Sequence, residues 1–144
     1  MSTEQKASKK ARRKGVVTKA RRKTAIAHAT LRKGTGRIRV NRMLLEIIQP
    51  RYVQLLIKEP ITLAGDLAND IDVDVSVKGS GQMAQAVAAR GAIAKALVSY
   101  TNSPKLKKEF LDYNRMLIVD DIRQTEPKKP LGKGARAKKQ KSKR

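Results

Sequence analysis

One modest α+β domain held between two basic arms is the fold this sequence predicts, and three observations predict it. Residues 70–77 alternate without a fault, Ile71, Val73, Val75 and Val77 against Asp70, Asp72, Asp74 and Ser76, which is the period of a strand with one buried face. Residues 82–100 form an Ala-rich run in which Met83, Val87, Ile93, Ala94, Leu97 and Val98 fall within one broad helical arc. The charge is partitioned: of a net +22, the segments 1–23 and 128–144 carry +9 each and the stretch between them only +4. Segments so poor in apolar residues and so rich in one charge repel themselves and order only where an anionic partner compensates them. Residues 24–127, by contrast, suffice for one core and are too few for two.

The remaining elements follow in chain order. Residues 24–31 read Thr-Ala-Ile-Ala-His-Ala-Thr-Leu, Gly34-Thr35-Gly36 punctuates, and Arg37-Ile38-Arg39-Val40 alternates, which predicts a β-hairpin. On its second strand the period of two sends Arg37 and Arg39 to one face and Ile38 and Val40 to the other. Pro50 opens and Pro60 closes a predicted short helix with Tyr52, Val53, Leu56 and Ile57 at helical spacing. Gly79-Ser80-Gly81 ends the strand 70–77, and Ser103 as N-cap with Pro104 at the first helical position starts a last helix that buries Leu106 and Phe110. No internal repeat is evident.

Several function classes fall away. The chain has no cysteine, which removes disulfides, thiolate-bound zinc and thiol catalysis. Its first thirty residues hold no apolar run of signal-peptide length and no stretch is long enough to cross a bilayer, so a cytoplasmic location without membrane association is expected. Asp70, Asp72 and Asp74 share a strand face, but a calcium loop needs a glycine and a later bidentate Glu in register, so a solvated or Arg-paired face is expected, with no metal and no other cofactor. The lone His28 has no nucleophile or orienting acid near it in sequence. None of the glycine clusters has phosphate-loop spacing; the one at 79–81, lying before a helix, would let an RNA backbone approach exposed N–H groups. The four aromatics, Tyr52, Tyr100, Phe110 and Tyr113, all sit on or beside predicted helices, so the protein should grip phosphate and shape and not stack bases. Arg90 falls near the centre of a helix's apolar arc, where it either snorkels outward or reaches a phosphate or a carboxylate.

The segments Arg21-Arg22-Lys23-Thr24-Ala25-Ile26-Ala27, Gly34-Thr35-Gly36-Arg37-Ile38-Arg39-Val40-Asn41 and Ile93-Ala94-Lys95-Ala96-Leu97 after Arg90 resemble the universal S-nine family of small ribosomal subunit proteins. Asp121-Ile122-Arg123, Glu126-Pro127-Lys128-Lys129-Pro130, Gly134-Ala135-Arg136-Ala137 and the terminal Ser142-Lys143-Arg144 extend the resemblance to residues 20–144, in the manner of its archaeal and eukaryotic branch. His28 stands where that family usually has arginine, Ser80 and Ala84 where glycines are usual, and Lys143 where a tyrosine is common. The resemblance implies a βαβ-type α+β domain with a left-handed crossover, like the second domain of ribosomal protein S-five, seated in the head of the small subunit among neighbouring proteins. It further implies a tail that threads through ribosomal RNA until its last residues approach P-site tRNA.

The expectation is a non-enzymatic structural constituent of the small ribosomal subunit, acting as a single copy and not as a homo-oligomer. A free nucleic-acid chaperone or DNA-compacting protein is the alternative that composition alone allows, and an enzyme such as a small-molecule kinase lacks its phosphate loop. In the arm 1–23, Arg21, Arg22 and Lys23 are expected to bind ribosomal RNA, and in the body Arg37, Arg39, Arg90 and Arg123. The tail 128–144 adds Lys128, Lys129, Lys133, Arg136, Lys138, Lys139 and Lys141 to that set. Lys143 and Arg144 are expected to bind tRNA.

Overall fold

The computed structural model describes residues 15–137. Five strands form one sheet: β1 (Val16–Arg22), β2 (Ala25–Lys33), β3 (Ile38–Val40), β4 (Met43–Leu44) and β5 (Ile71–Lys78), in the order β1-β2-β5-β3-β4. Helices α1 (Arg51–Ala64), α2 (Gln82–Thr101) and α3 (Pro104–Tyr113) complete the α+β domain among the described residues.

Folding begins before Thr24, which corrects the extent of the N-terminal arm. Val16–Arg22 is an edge strand paired antiparallel with β2, Ala20 opposite Ala27 and Arg22 opposite Ala25, around a turn with Lys23 at φ 54°. Its period of two is real, with Val17, Lys19 and Arg21 exposed and Ala20 buried, but the density of cations hides it. The predicted pairing of the next two strands also fails. β5 lies between them, antiparallel to β2 and parallel to β3, so that β3, α1 and β5 form a βαβ unit. The loop 34–37 carries the chain across the end of β5: Gly34 donates to the Asp70 carbonyl at 2.8 Å and Val73 to the Arg37 carbonyl at 2.8 Å. Local alternation marks a strand but carries no information on which neighbour it takes.

One face of the sheet is covered by helices. Ala25, Ala27, Ala29 and Leu31 of β2 and Ile71, Val73, Val75 and Val77 of β5 are buried there, as their alternation requires. Small residues on β2 and β1 let α2 come close; at Gly91 an added Cβ would lie 3.3 Å from the Cβ of Ala20 on β1. Burial on α2 runs nearly all round from Ala86 to Leu97, instead of along one arc, because α1 lies against it as well as the sheet, and Met83, assigned to that arc, is half exposed.

Pro60 does not close α1. It is buried inside a helix that continues to Ala64, and Gly65, at φ 58°, ends it by donating to the Ile61 and Thr62 carbonyls. A mid-helix proline removes one backbone bond and costs about 3 kcal/mol in an exposed helix. Burial of its ring beside Val53 and Ile57, at about 1.5–3 kcal/mol for each fully buried side chain, offsets that cost. α3 starts as read from the sequence: the Ser103 hydroxyl accepts from the Leu106 N–H at 3.4 Å, Pro104 occupies the first turn, and Leu106 and Phe110 are buried.

Candidate nucleic-acid interface

Among the described residues the second face of the sheet carries no helix, and the strand registers fix what stands on it. Three rows cross it: Arg21, Ile26 and Lys78; then Lys19, His28 and Ser76; then Val17, Thr30, Asp74 and Arg39. Arg32 and Asp72 form a partial fourth row, with exposed Arg37 just ahead of β3. Side chains alternate along each strand about 7 Å apart and stand about 5 Å from those on the next, so the cations are spread over one plane among neutral residues and two carboxylates. Arg37 and Arg39 are exposed opposite the inward Ile38 and Val40, as the alternation predicts.

The two carboxylates on this face are not equivalent. Asp74 lies between Thr30 and Arg39. Asp72 is held by the loop before β3: its Oδ1 accepts from the backbone N–H of Thr35 at 2.8 Å and of Arg37 at 3.1 Å. Those two bonds, the Thr35 one foremost, and then the fields of Arg37 and Arg39 hold its carboxyl below the usual carboxylate range.

Beyond β3 the chain turns through Asn41 at φ 48° and Arg42 at φ 71° into β4. The Asn41 amide continues the ladder beside β5, with Val77 N–H donating to Oδ1 at 2.8 Å and Nδ2 donating to the Val77 carbonyl at 3.2 Å. Around this turn His28, Arg39, Arg42, Asp74, Ser76 and Lys78 line an open groove. Lys19, Arg32, Arg42 and Lys78 are thus members of the face that sequence reasoning missed. Lys19, Arg32 and Lys78 continue strand alternations and were legible in that way; Arg42, in a turn, left no signal.

Of the other expected RNA ligands, Arg21 alone among the described residues shares the open face. Arg21 is exposed on the open face and Lys23 at the hairpin turn. Arg22 pairs with Asp121, which also takes Arg123 through Nη2 at 2.7 Å, and a parallel bridge joins Arg22 to Asp121. Lys95 on α2 holds the adjacent Asp120 at 2.7 Å, so the chain leading to the tail is fastened to the sheet's outer edge. Arg90 turns inward: 8% exposed, it pairs with Glu59 of α1 at 2.6 Å, the carboxylate option among those its position left open. That geometry makes it a brace between α1 and α2, set inside the fold and away from the cationic face. Lys128, Lys129 and Lys133 are exposed, and Arg136 pairs with Glu126 at 2.8 Å, an ion pair that holds the Glu126 carboxyl below its usual range. Lys138, Lys139, Lys141, Lys143 and Arg144 lie outside the described residues.

A helix-backed sheet whose open face is rich in cations, with its tyrosines confined to helices, defines a basic domain of the structural class, of a kind suited to phosphate. Comparison with known proteins gives that class a family. A family model described as ribosomal protein S9/S16 matches residues 20–144, and the chain belongs to that family. It is 49% identical over 131 residues to the small ribosomal subunit protein uS9 of Methanococcus maripaludis strain C5, an alignment covering 90% of this chain and 98% of the relative. The protein of the same name from Methanococcus vannielii is 48% identical over the same shares of each chain. Membership makes this protein a structural, non-enzymatic constituent of the small ribosomal subunit, and therefore of the cytoplasmic ribosome.

Proposed function

We propose that the open sheet face holds small-subunit ribosomal RNA by its backbone, and that the basic tail runs on from the latch at Asp121 so that Lys143 and Arg144 support P-site tRNA. One observation carries the reading: the registers of β1, β2, β5 and β3 bring Arg21, Lys78, Lys19, Arg32 and Arg39 onto a single helix-free plane. Cations at strand spacing suit a run of phosphates, whereas base readout would call for aromatic platforms or forked contacts into a groove. Neutralising several phosphates releases their counterions, which makes such binding strong at low salt and steeply salt-dependent. In the subunit the domain supplies a fixed body, and the charge on either side of it supplies the reach.

Filter binding of tRNA to purified small subunits tests the tail. Subunits carrying a chain that stops before Lys143 should retain the protein, since most of the +22 charge remains. Their P-site affinity should fall by about 1–3 kcal/mol, the worth of one charge-assisted hydrogen bond. Unchanged affinity at normal protein occupancy refutes the assignment of Lys143 and Arg144.

A further inference from the structure

An acid sits at the most cationic corner of the open face, where phosphate binding alone would select against it. Asp72 faces Arg32 across the sheet and feels the charges of Arg37 and Arg39. Yet the carboxylate is built into the backbone around it. Oδ1 accepts from the N–H groups of both Thr35 and Arg37. Gly34 leaves the room this takes: an added Cβ would fall 2.0–2.3 Å from the Asp72 carboxylate atoms and would have to displace them. Gly36, at φ +82°, passes close to the Asn69 carbonyl and completes the bend. The carboxylate therefore fills the inside of the loop, and the first side chain the loop delivers to the face is that of Arg37, followed by Arg39 opposite Asp74.

We propose that Asp72 is a positioning residue for RNA binding, whose carboxylate folds the loop 34–37 so that Arg37 and Arg39 stand ready on the open face. The inference rests on the RNA reading of that face. Its content is a sign: an acidic residue in the interface strengthens binding, through the backbone bonds its oxygen accepts and in spite of its charge. The repulsion it exerts on a phosphate about 8 Å away through water is worth about twofold in affinity, and less after screening by salt. Loss of one well-placed arginine contact is worth about tenfold, so geometry outweighs repulsion.

The test uses the full chain and small-subunit ribosomal RNA transcribed in vitro, with affinity measured by filter binding across a potassium chloride series. In Asp72→Asn the amide oxygen still accepts from Thr35 and Arg37, and affinity should stay within about twofold of the native chain. Asp72→Ala raises the net charge by one, yet should bind about tenfold more weakly, with a salt slope lowered by about 1. Gly34→Ala leaves the charge unchanged and displaces the carboxylate from the other side; it should reproduce the loss, so the inference does not depend on one variant's folding. Hydrogen exchange at Thr35 and Arg37 should be slow in the Asn variant and fast in the Ala variant. Asp72→Ala binding as tightly as Asp72→Asn, or Gly34→Ala at native affinity, overturns the inference alone. Failure of the native chain to bind overturns the RNA reading and this inference with it.

Discussion

Replacing Arg42 by glycine should make the protein more stable and worse at holding RNA. Arg42 sits at φ 71°, directly after Asn41 at φ 48°, in the turn between β3 and β4. Consecutive left-handed residues in a two-residue hairpin turn favour Asn followed by Gly, so the first position suits its residue and the second does not. A side chain in that conformation costs about 1–2 kcal/mol, and glycine's greater freedom in the unfolded chain returns about 0.4–1 kcal/mol of the relief. The net gain is about 0.5–1 kcal/mol, or about 2–4 °C in Tm for a chain of this size. The same change removes one cation from the rim of the groove shared with Arg39 and Lys78. RNA affinity should drop about fivefold and the salt slope by about 1. Thermal unfolding and RNA filter binding of the full chain read the two effects separately. A lower Tm, or unchanged RNA affinity, refutes the view that a strained backbone is retained here for the charge it presents.

Arg37→Glu combined with Arg39→Glu should abolish most RNA binding while unfolding stays cooperative, because both side chains are exposed; a broad, non-cooperative melt refutes this. A chain spanning 15–127 keeps β1 and should fold, with +8 of the +22 charge and a flatter salt dependence for RNA. One spanning 24–127 loses the edge strand that covers β2 and should be markedly less stable in urea; equal midpoints for the two refute the role given to β1. Backbone donors from Thr35 and then Arg37 hold the Asp72 carboxyl below its ordinary 3.8, so its contribution to stability is complete above that value and lost as pH falls through the lower folded one. The urea midpoint gap between the native chain and Asp72→Ala should therefore be constant from pH 7 to about 5 and narrow below about 4; a gap as wide at pH 2 as at pH 7 refutes it.

What the sequence made legible was what short-range patterns encode. The strand at 71–78 announces itself because every second residue is β-branched, and α3 because Ser103 and Pro104 are adjacent. β1 escaped notice because lysine and arginine fill its outer positions as they fill the arm before it, so composition overrode period. The mistaken hairpin has another cause: β2 and β3 are close in sequence, but β5, arriving more than thirty residues later, pairs with both. Arg90 could not be resolved from its own helix, since its partner Glu59 lies 31 residues away on another. Asp72 was visible as a face residue and invisible as a loop anchor, because its donors are 35 and 37 residues distant. Of the candidate site, then, Arg37, Arg39 and the basic segments were readable, and the plane that assembles Lys19, Arg32 and Lys78 with them required the sheet order.

The latch at Asp121 turns the tail into a tether with a surveyed origin. Arg22, Arg123 and the bridge to β1 pin that residue, and Arg144 lies 23 positions further on. At no more than about 3.3–3.6 Å per residue, the terminal cations are confined to a sphere of about 80 Å radius around the pinned point. On the tRNA reading proposed above, the local concentration of Lys143 and Arg144 is set by chain length and not by the cell's supply of protein, so a weak pair of cations would suffice there. Shortening the chain between Asp121 and Arg144 changes the volume within reach, while loosening Asp121 moves its centre. On that reading the domain is a surveyor's stake for a contact made beyond its own surface.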